Sequence, residues 1–325
     1  MNLGFRLAAL AVASTAVLSA PVAAQQKTEA VTVAQAFQSV QYLPLYVGID
    51  KGFFKKHGLD VTKTTAGGGA NGVASVIQGS ATFSLQDPMT AVLANLKGAK
   101  LRNVAEVVNG VPVWIVVKKD APIKSIADLA GKTISTAIAP STSTYLLRDI
   151  LGKQHVKATE QDVLIGTEIA PLIAGKVDAA AVYEPYVEQA LAQGCRVLYE
   201  FAKAVPGGYA FSTIDATDET IQTKPHLVQA FVDGLEESIR YMHTDQAGAT
   251  EVAVAEFPQL SPEIVRASVK RMFHDDVYPK SAMIEPAAFA SALALQVAIG
   301  NIKPDTVTYA AAIDPQFARK ATAAK

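Results

Sequence analysis

The sequence is poor in cysteine and has no excess of charge of either sign. Cys195 is the only cysteine among the 325 residues, so no disulfide can form within the chain. The chain has 29 Lys and Arg residues against 30 Asp and Glu residues, a balance that gives no basic surface to favour nucleic acid. The five histidines are scattered and none pairs with an acid at helical spacing, so we expect no metal and no cofactor.

Long apolar runs are absent as well, except near the N-terminus. Leu7–Leu18 consists mainly of alanine, valine and leucine, and it lies between Arg6 and the small residues Val22–Ala24. This order is typical of a secretory signal peptide over residues 1–24, with cleavage near Ala24-Gln25. No later segment reaches about 18 uninterrupted apolar residues. We therefore expect an exported, periplasmic chain that is not inserted in a membrane.

What is present is a regular alternation of strand and helix patterns. β-Branched runs such as Val31–Phe37 and Leu101–Val108 alternate with short helical segments that end at glycine. This alternation predicts βαβ units and an α/β fold with a largely parallel sheet. After a last strand at Ala210–Ile214 the pattern is mostly helical, and we expect those helices to pack on the outside of a lobe already formed.

Two segments repeat one order of elements: helix, glycine, strand, acid-proline, helix, glycine. They are Val76–Lys100 and Leu172–Arg196, and their matching glycines lie 96 residues apart. The repeat sets Asp87-Pro88 against Glu184-Pro185, with a slip of one residue. Ligands of open α/β sheets bind beyond the carboxyl ends of strands, so we expect the two turns to face each other across a cleft.

The repeat also predicts how the chain divides. Residues 25–115 and 212–325 would form lobe 1, and residues 116–211 would form lobe 2, which interrupts the first. Two chain crossings result, near Trp114–Lys118 and Tyr209–Ser212, and two parallel crossings make a hinge.

Polar groups are concentrated on the proposed cleft. Gly67–Gly72 matches G-x-G-x-x-G, but its helix is short and an exported protein meets no nicotinamide pool, so we expect a loop that offers backbone N–H groups to a ligand. A tight structural turn is the alternative. Ser141–Thr144 opens a helix, where hydroxyls and free N–H groups make either an anion or carbonyl site or an ordinary cap.

Acidic and aromatic residues have competing interpretations too. Asp87 and Glu184 could bind a ligand amine or hydroxyl, or could satisfy local backbone N–H groups; with no nucleophile or metal beside them, we expect no catalysis. Trp114 and Tyr183 lie at strand ends, where they either stack on a ligand or pack in the core.

Three stretches resemble one protein family, in the same order along the chain. They are QYLPLYVGIDKGFFKKHGLD (Gln41–Asp60), SIADLAGKTI (Ser125–Ile134) and VDAAAVYEPY (Val177–Tyr186). The family is that of periplasmic solute-binding proteins of nitrate, sulfonate, taurine and thiamine-pyrimidine-precursor ABC importers. The resemblance implies a two-lobed periplasmic-binding-protein fold of type II, with two hinge crossings and a ligand cleft between the lobes.

The resemblance also implies which residues contact the ligand. The family often has tryptophan where Tyr183 stands, and the cysteine-rich motif of its pyrimidine-synthesising enzymes is absent. With Trp114 added as a candidate for stacking, the predicted ligand-binding residues are Gln38, Tyr42, Gly68, Gly69, Asn71, Gln86, Asp87, Trp114, Ser141, Thr142, Ser143, Tyr183 and Glu184.

The functional expectation is an extracytoplasmic receptor, not an enzyme. A monomer would bind a small organic anion of the sulfonate, nitrate or taurine class by hinge closure, and would then dock on an ABC permease with its ATPase. The alternatives are a binding protein for a pyrimidine, another aromatic heterocycle or an aromatic acid. An exported enzyme or a sensor on the same fold is a further alternative.

Overall fold

The computed structural model describes residue 1, residues 28–205 and residues 208–323. The predicted signal peptide, apart from Met1, lies outside these residues. Ten strands occur in the described part of the chain: β1 (Glu29–Gln35), β2 (Leu59–Thr65), β3 (Phe83–Gln86), β4 (Leu101–Asn109), β5 (Trp114–Lys118), β6 (Thr133–Ala137), β7 (Thr159–Val163), β8 (Ala179–Val182), β9 (Cys195–Glu200) and β10 (Ala210–Thr217).

The strands form two sheets of five strands, which define two lobes. The first sheet has the order β2-β1-β3-β10-β4 and the second β7-β6-β8-β5-β9. In the first sheet β10 runs antiparallel to both of its neighbours, and in the second β5 does the same. The remaining pairs are parallel. The predicted α/β fold is confirmed, but each sheet contains one antiparallel strand that was not expected.

The antiparallel strands are the two that enter a sheet from the other lobe. The chain passes from β4 to β5 through residues 110–113, and from β9 to β10 through residues 201–209, of which Phe201–Ala204 form a 3-10 turn and residues 206–207 lie outside the described part of the chain. The N–H of Gly110 donates to the carbonyl of Tyr209 (2.8 Å), and the N–H of Phe201 donates to the carbonyl of Val113 (3.1 Å). The two crossings therefore lie side by side, slightly earlier in the chain than expected, because Trp114 already belongs to β5 and Ala210 to β10.

Helices surround both sheets in the described part of the chain. They are α1 (Leu43–Asp50), α2 (Phe53–Lys56), α3 (Gly69–Ile77), α4 (Pro88–Asn95), α5 (Thr142–Lys153), α6 (Ile169–Ile173), α7 (Tyr186–Ala192), α8 (Asp218–Thr223), α9 (Pro225–Thr244), α10 (Gln246–Glu256), α11 (Pro262–His274), α12 (Pro286–Ala298), α13 (Tyr309–Ala312) and α14 (Gln316–Ala323). As expected, α9 and α14 pack on the first lobe, but α11 also contacts α7 and α12 contacts α5 of the second lobe.

The core of the first lobe contains a stack of phenylalanines between α2, β3 and α9. The Phe231 ring centroid lies 4.8 Å from that of Phe54 and 4.5 Å from that of Phe83. A Cβ at Gly234 on α9 would lie 2.7 Å from the Phe54 ring, and one at Gly48 on α1 would lie 2.5 Å from it. Both of these helices therefore need glycine where they approach the ring. None of the helices within the described ranges is long and apolar enough to span a membrane.

Candidate functional site

A cavity of ≈280 Å³ lies between the two lobes. The first lobe lines it with the segment after β1, the start of α3 and the end of β3, and the second lobe contributes the segments that follow β6, β7 and β8. The structure brings nine of the thirteen predicted site residues to this cavity. These are Tyr42, Gly68, Gly69, Asn71, Gln86, Asp87, Ser141, Thr142 and Tyr183.

Aromatic rings from both lobes form one wall of the cavity. The Phe37 ring centroid lies 5.5 Å from that of Tyr42 and 5.2 Å from that of Tyr183, and the Tyr183 ring lies 6.1 Å from that of Phe211. Tilted and edge contacts at these distances are the favourable arrangements of aromatic pairs. Phe37 and Phe211 were not among the predicted site residues, and they extend the apolar surface that a flat ligand would meet.

The Asp87 carboxylate connects the two lobes. One of its oxygens accepts a hydrogen bond from the N–H of Met89 (2.8 Å) and so caps α4, and the other accepts one from the hydroxyl of Thr142 at the start of α5. Burial raises the pKa of Asp87 to about 6, although both hydrogen bonds act to lower it. The cap was an open alternative for Asp87, and the structure shows that the same carboxylate also reaches the cavity.

The beginning of α5 is satisfied from within the second lobe. The buried N–H of Ser143 donates to the phenol oxygen of Tyr183 (2.9 Å), and the hydroxyl of Ser141 lies 3.2 Å from the same oxygen. Burial raises the pKa of Tyr183 to about 12, so the phenol stays protonated. Ser143 is fully buried and does not line the cavity, and its N–H is bonded to Tyr183. The expectation that Ser143 offers a free N–H to a ligand is therefore corrected.

The glycine loop before α3 forms the opposite side. Gly68 precedes the helix with a φ of 152°, and no side chain caps the first turn. The first N–H groups of such a helix have no partner within it. The side-chain amide of Asn71 closes the loop by donating to the carbonyl of Ala66 (3.1 Å). The backbone of this loop therefore lines the cavity.

Glu184 is not at the cavity, so the prediction that it faces Asp87 across the cleft is corrected. Its carboxylate is fully buried, lies 3.0 Å from the guanidinium of Arg271, and accepts a hydrogen bond from the hydroxyl of Ser268 (3.0 Å). Both partners lie on α11, which covers this turn. Arg271 also binds Glu188 on α7 (2.6 Å), so the acid belongs to a contact between helices of different lobes.

Two further predicted residues also lie away from the cavity. The side-chain amide of Gln38 donates to the carboxylate of Glu256 (2.9 Å) and to its carbonyl (3.1 Å) at the end of α10. Trp114 is fully buried, with the guanidinium of Arg271 5.9 Å from its ring centroid. Trp114 therefore packs in the core, which was the alternative to stacking on a ligand.

No basic residue lines the cavity among the described residues. Its lining has no Lys, Arg or His, and Asp87 is its one carboxylate. Neutral polar groups complete it, including Gln41, whose two amide atoms are buried and have no hydrogen-bond partner. The described part of the chain also has no group of three His, Cys, Asp or Glu that could hold a metal. Gln41 was missed because its sequence position gives no sign of which way the 3-10 turn at Val40–Tyr42 points.

A known family model matches much of this chain. The model is described as NMT1/THI5 like, and it matches residues 39–249, which include β2 to β10 and nearly all of the cavity-lining segments. The chain belongs to the NMT1/THI5-like family. The resemblance found in the sequence, to solute-binding proteins that include a thiamine-pyrimidine-precursor group, is thereby confirmed.

A relative and two solved structures are also similar to this chain. The riboflavin-binding protein RibY of Chloroflexus aurantiacus is 28% identical over 223 residues, which are 64% of this chain and 61% of RibY. The ligand-binding component of an ABC-type import system from Staphylococcus aureus has a TM-score of 0.77 and 13% identity, over 90% of this chain and 99% of that one. The periplasmic aliphatic sulphonate binding protein SsuA of Escherichia coli has a TM-score of 0.70 and 19% identity, over 88% of this chain and 97% of SsuA. These two structures establish the two-lobed fold.

Proposed function

We propose that this NMT1/THI5-like chain is the extracytoplasmic substrate-binding component of an ABC importer. A cavity between two lobes that are joined by two adjacent crossings suits a receptor that closes on its ligand. The lobes would be residues 25–115 with 212–325, and residues 116–211. The closed form, acting as a monomer after removal of the signal peptide, would dock on a membrane permease that works with an ATPase. The neighbours named for import and for a periplasmic location support this role.

The ligand that suits this cavity best is a flat heteroaromatic molecule that is neutral or carries an amino group. One observation carries this proposal: aromatic rings and neutral amides line the cavity together with Asp87, and no described residue there is basic. A sulfonate or nitrate ion would enter a buried space that already holds a carboxylate and would find no cation to pair with. Burying a charge without a partner is costly, so the cavity disfavours the small anions that the sequence suggested first.

A small organic anion is the second candidate, and one observation favours it. The uncapped start of α3 and the hydroxyl of Ser141 both face the cavity, and the positive end of a helix favours anionic groups. The same N–H groups would serve equally well as donors to ring carbonyl oxygens. RibY, whose name states riboflavin as its ligand, agrees with the heteroaromatic choice.

Thermal unfolding with a panel of ligands separates the candidates. The panel contains riboflavin, cytosine, uracil and 2-aminopyrimidine on one side, and taurine, ethanesulfonate and nitrate on the other. A ligand at a hundred times its Kd stabilises the folded state by about 2.7 kcal/mol, which raises the Tm by several degrees. We expect a rise with one or more of the heteroaromatic compounds. A rise with the anions alone would overturn the ligand class.

The same samples distinguish a receptor from an enzyme. After overnight incubation of the stabilising compound with the protein, proton NMR should show the compound unchanged. A protein-dependent conversion of the ligand would overturn the receptor proposal in favour of an exported enzyme on this fold.

The substitution Phe37→Ala should lower the affinity for the heteroaromatic compound. The control Phe53→Ala alters an aromatic side chain on α2 outside the cavity and should leave this affinity unchanged.

A further inference from the structure

The Gln86 side chain is fixed by a buried carboxylate on the neighbouring strand. Gln86 ends β3, and its Nε2 donates to Asp215 Oδ1 (2.9 Å) on β10 and to the hydroxyl of Ser84 (3.2 Å). The Ser84 hydroxyl lies 2.8 Å from each oxygen of Asp215. All three side chains are buried. An ionised carboxylate only accepts hydrogen bonds, so it must face the NH₂ end of the amide and not the carbonyl end.

The other end of the same amide has no partner among the described residues and lies beside the glycine loop. Gln86 Oε1 is buried and has no hydrogen-bond partner, and Gln86 lines the cavity beside the glycine loop. A Cβ at Gly69 would lie 2.7 Å from Oε1, so the glycine leaves the space that this oxygen occupies. A buried acceptor without a donor costs free energy in the empty protein, and a ligand N–H at this position would remove that cost.

We propose that Asp215 is a positioning residue that sets the hydrogen-bond polarity of the cavity, turning Gln86 Oε1 toward the ligand so that the site selects a ligand with an N–H donor. The inference rests on the proposed function, because it concerns the same cavity and the same heteroaromatic ligand. Asp87 supplies a second acceptor one residue further along the chain. A ring that carries an amino group therefore matches this side of the cavity better than a ring of the same shape without one.

Asp215 has no ligand contact of its own, since it does not line the cavity. Its effect would pass through the amide, which has nearly the same shape in either orientation. With asparagine at position 215, a side-chain N–H could donate to Gln86 Oε1, and the Gln86 amide could then turn its NH₂ to the cavity. Burial raises the pKa of Asp215 to about 7, so the comparison is made at pH 8.5, where the carboxylate is ionised.

The test compares two pyrimidines, one whose 2-substituent has an N–H donor and one whose 2-substituent has none. The Kd values of 2-aminopyrimidine and 2-methoxypyrimidine are measured by NMR titration of the wild type, Asp215→Asn and the control Asp60→Asn, which alters an exposed carboxylate on β2. We expect the wild type and the control to prefer the amino compound about three- to tenfold, the value of one hydrogen bond. Asp215→Asn should abolish or reverse this preference.

The outcomes separate the two proposals. If neither probe binds the wild type, this inference is overturned, and the heteroaromatic function is contradicted with it when riboflavin, cytosine and uracil do not bind either. If both bind and Asp215→Asn keeps the wild-type ratio, the positioning role alone is overturned.

A second measurement needs no ligand and no variant of Asp215: hydrogen exchange of the Gln86 side-chain NH₂ should be slower than that of the exposed Gln78. Equal exchange rates would show that the amide is not held, and would likewise overturn the inference.

Discussion

Replacing Asp87 with asparagine should stabilise the empty protein at neutral pH, by an amount that depends on pH. The carboxylate caps α4 and accepts the Thr142 hydroxyl, yet burial raises its pKa from 3.8 to about 6. Asparagine caps a helix about as well as aspartate, and its amide can still bond to the hydroxyl. What Asp87→Asn removes is the cost of keeping a charge in the cavity.

The size and the sign of the effect follow from proton linkage. Between pH 4 and pH 6 the folded state holds a proton on Asp87 that the unfolded state has lost, so the stability of the wild type falls as the pH rises through this window. A shift of about two pKa units corresponds to about 3 kcal/mol. The variant lacks this loss. The difference in unfolding free energy between variant and wild type should be near zero at pH 3.8 and should reach about 2–3 kcal/mol at pH 7.

Urea unfolding at half-unit steps from pH 4 to pH 7.5, without ligand, measures this difference. Asp60→Asn serves as the matched control, because Asp60 is exposed on β2 and does not line the cavity. A constant difference for Asp87→Asn, or one that becomes smaller as the pH rises, would refute the reasoning that the cavity destabilises the charged form.

Three more substitutions test contacts around the cavity. Thr142→Val removes the hydroxyl that links the lobes, so the ratio of open to closed molecules in the empty protein should rise about 10–100-fold. X-ray scattering should then give a larger radius of gyration, and an unchanged radius would contradict the link. Tyr183→Phe leaves the buried N–H of Ser143 without an acceptor and should cost about 1–2 kcal/mol in urea unfolding, whereas equal stability would show that water replaces the phenol. Arg271→Gln removes the cation beside the buried Glu184, whose pKa is raised to about 8, so the loss of unfolding free energy should be about 1 kcal/mol greater at pH 9, where the acid is ionised, than at pH 6, where it is protonated; a loss independent of pH would contradict this.

The local pattern of the sequence was sufficient to predict three of the segments that line the cavity. The glycine loop, the acid-proline turn after β3 and the start of α5 are all set by short-range rules: glycine at positive φ, a proline in the first helical turn, and hydroxyls before a helix. Strands end where they were expected to within a few residues, and parallel strands bring their carboxyl ends to one edge. Residues such as Gly69, Asp87 and Thr142 therefore line the same cavity.

Contacts made by distant parts of the chain could not be predicted in this way. The antiparallel entry of β5 and β10 depends on how the chain crosses between the lobes, and a strand pattern carries no information on direction. Gln38 turns away from the cavity because α10, more than 200 residues later, ends beside it. The direction of the Gln86 amide depends on Asp215, which no spacing rule connects with β3.

Asp87 and Glu184 show why similar turns differ in role. Each follows a strand, precedes a proline and accepts a bond from the first turn of the next helix, through the N–H of Met89 and of Glu188 respectively. The difference comes from α11, which brings Arg271 to Glu184, whereas no described Lys, Arg or His lines the cavity beside Asp87. The acid with a cation serves the contact between helices. Burial raises the pKa of both acids, to about 8 for Glu184 despite its cation and to about 6 for Asp87, but Asp87 is the one that lines the cavity, where a donor on the ligand would bond to it.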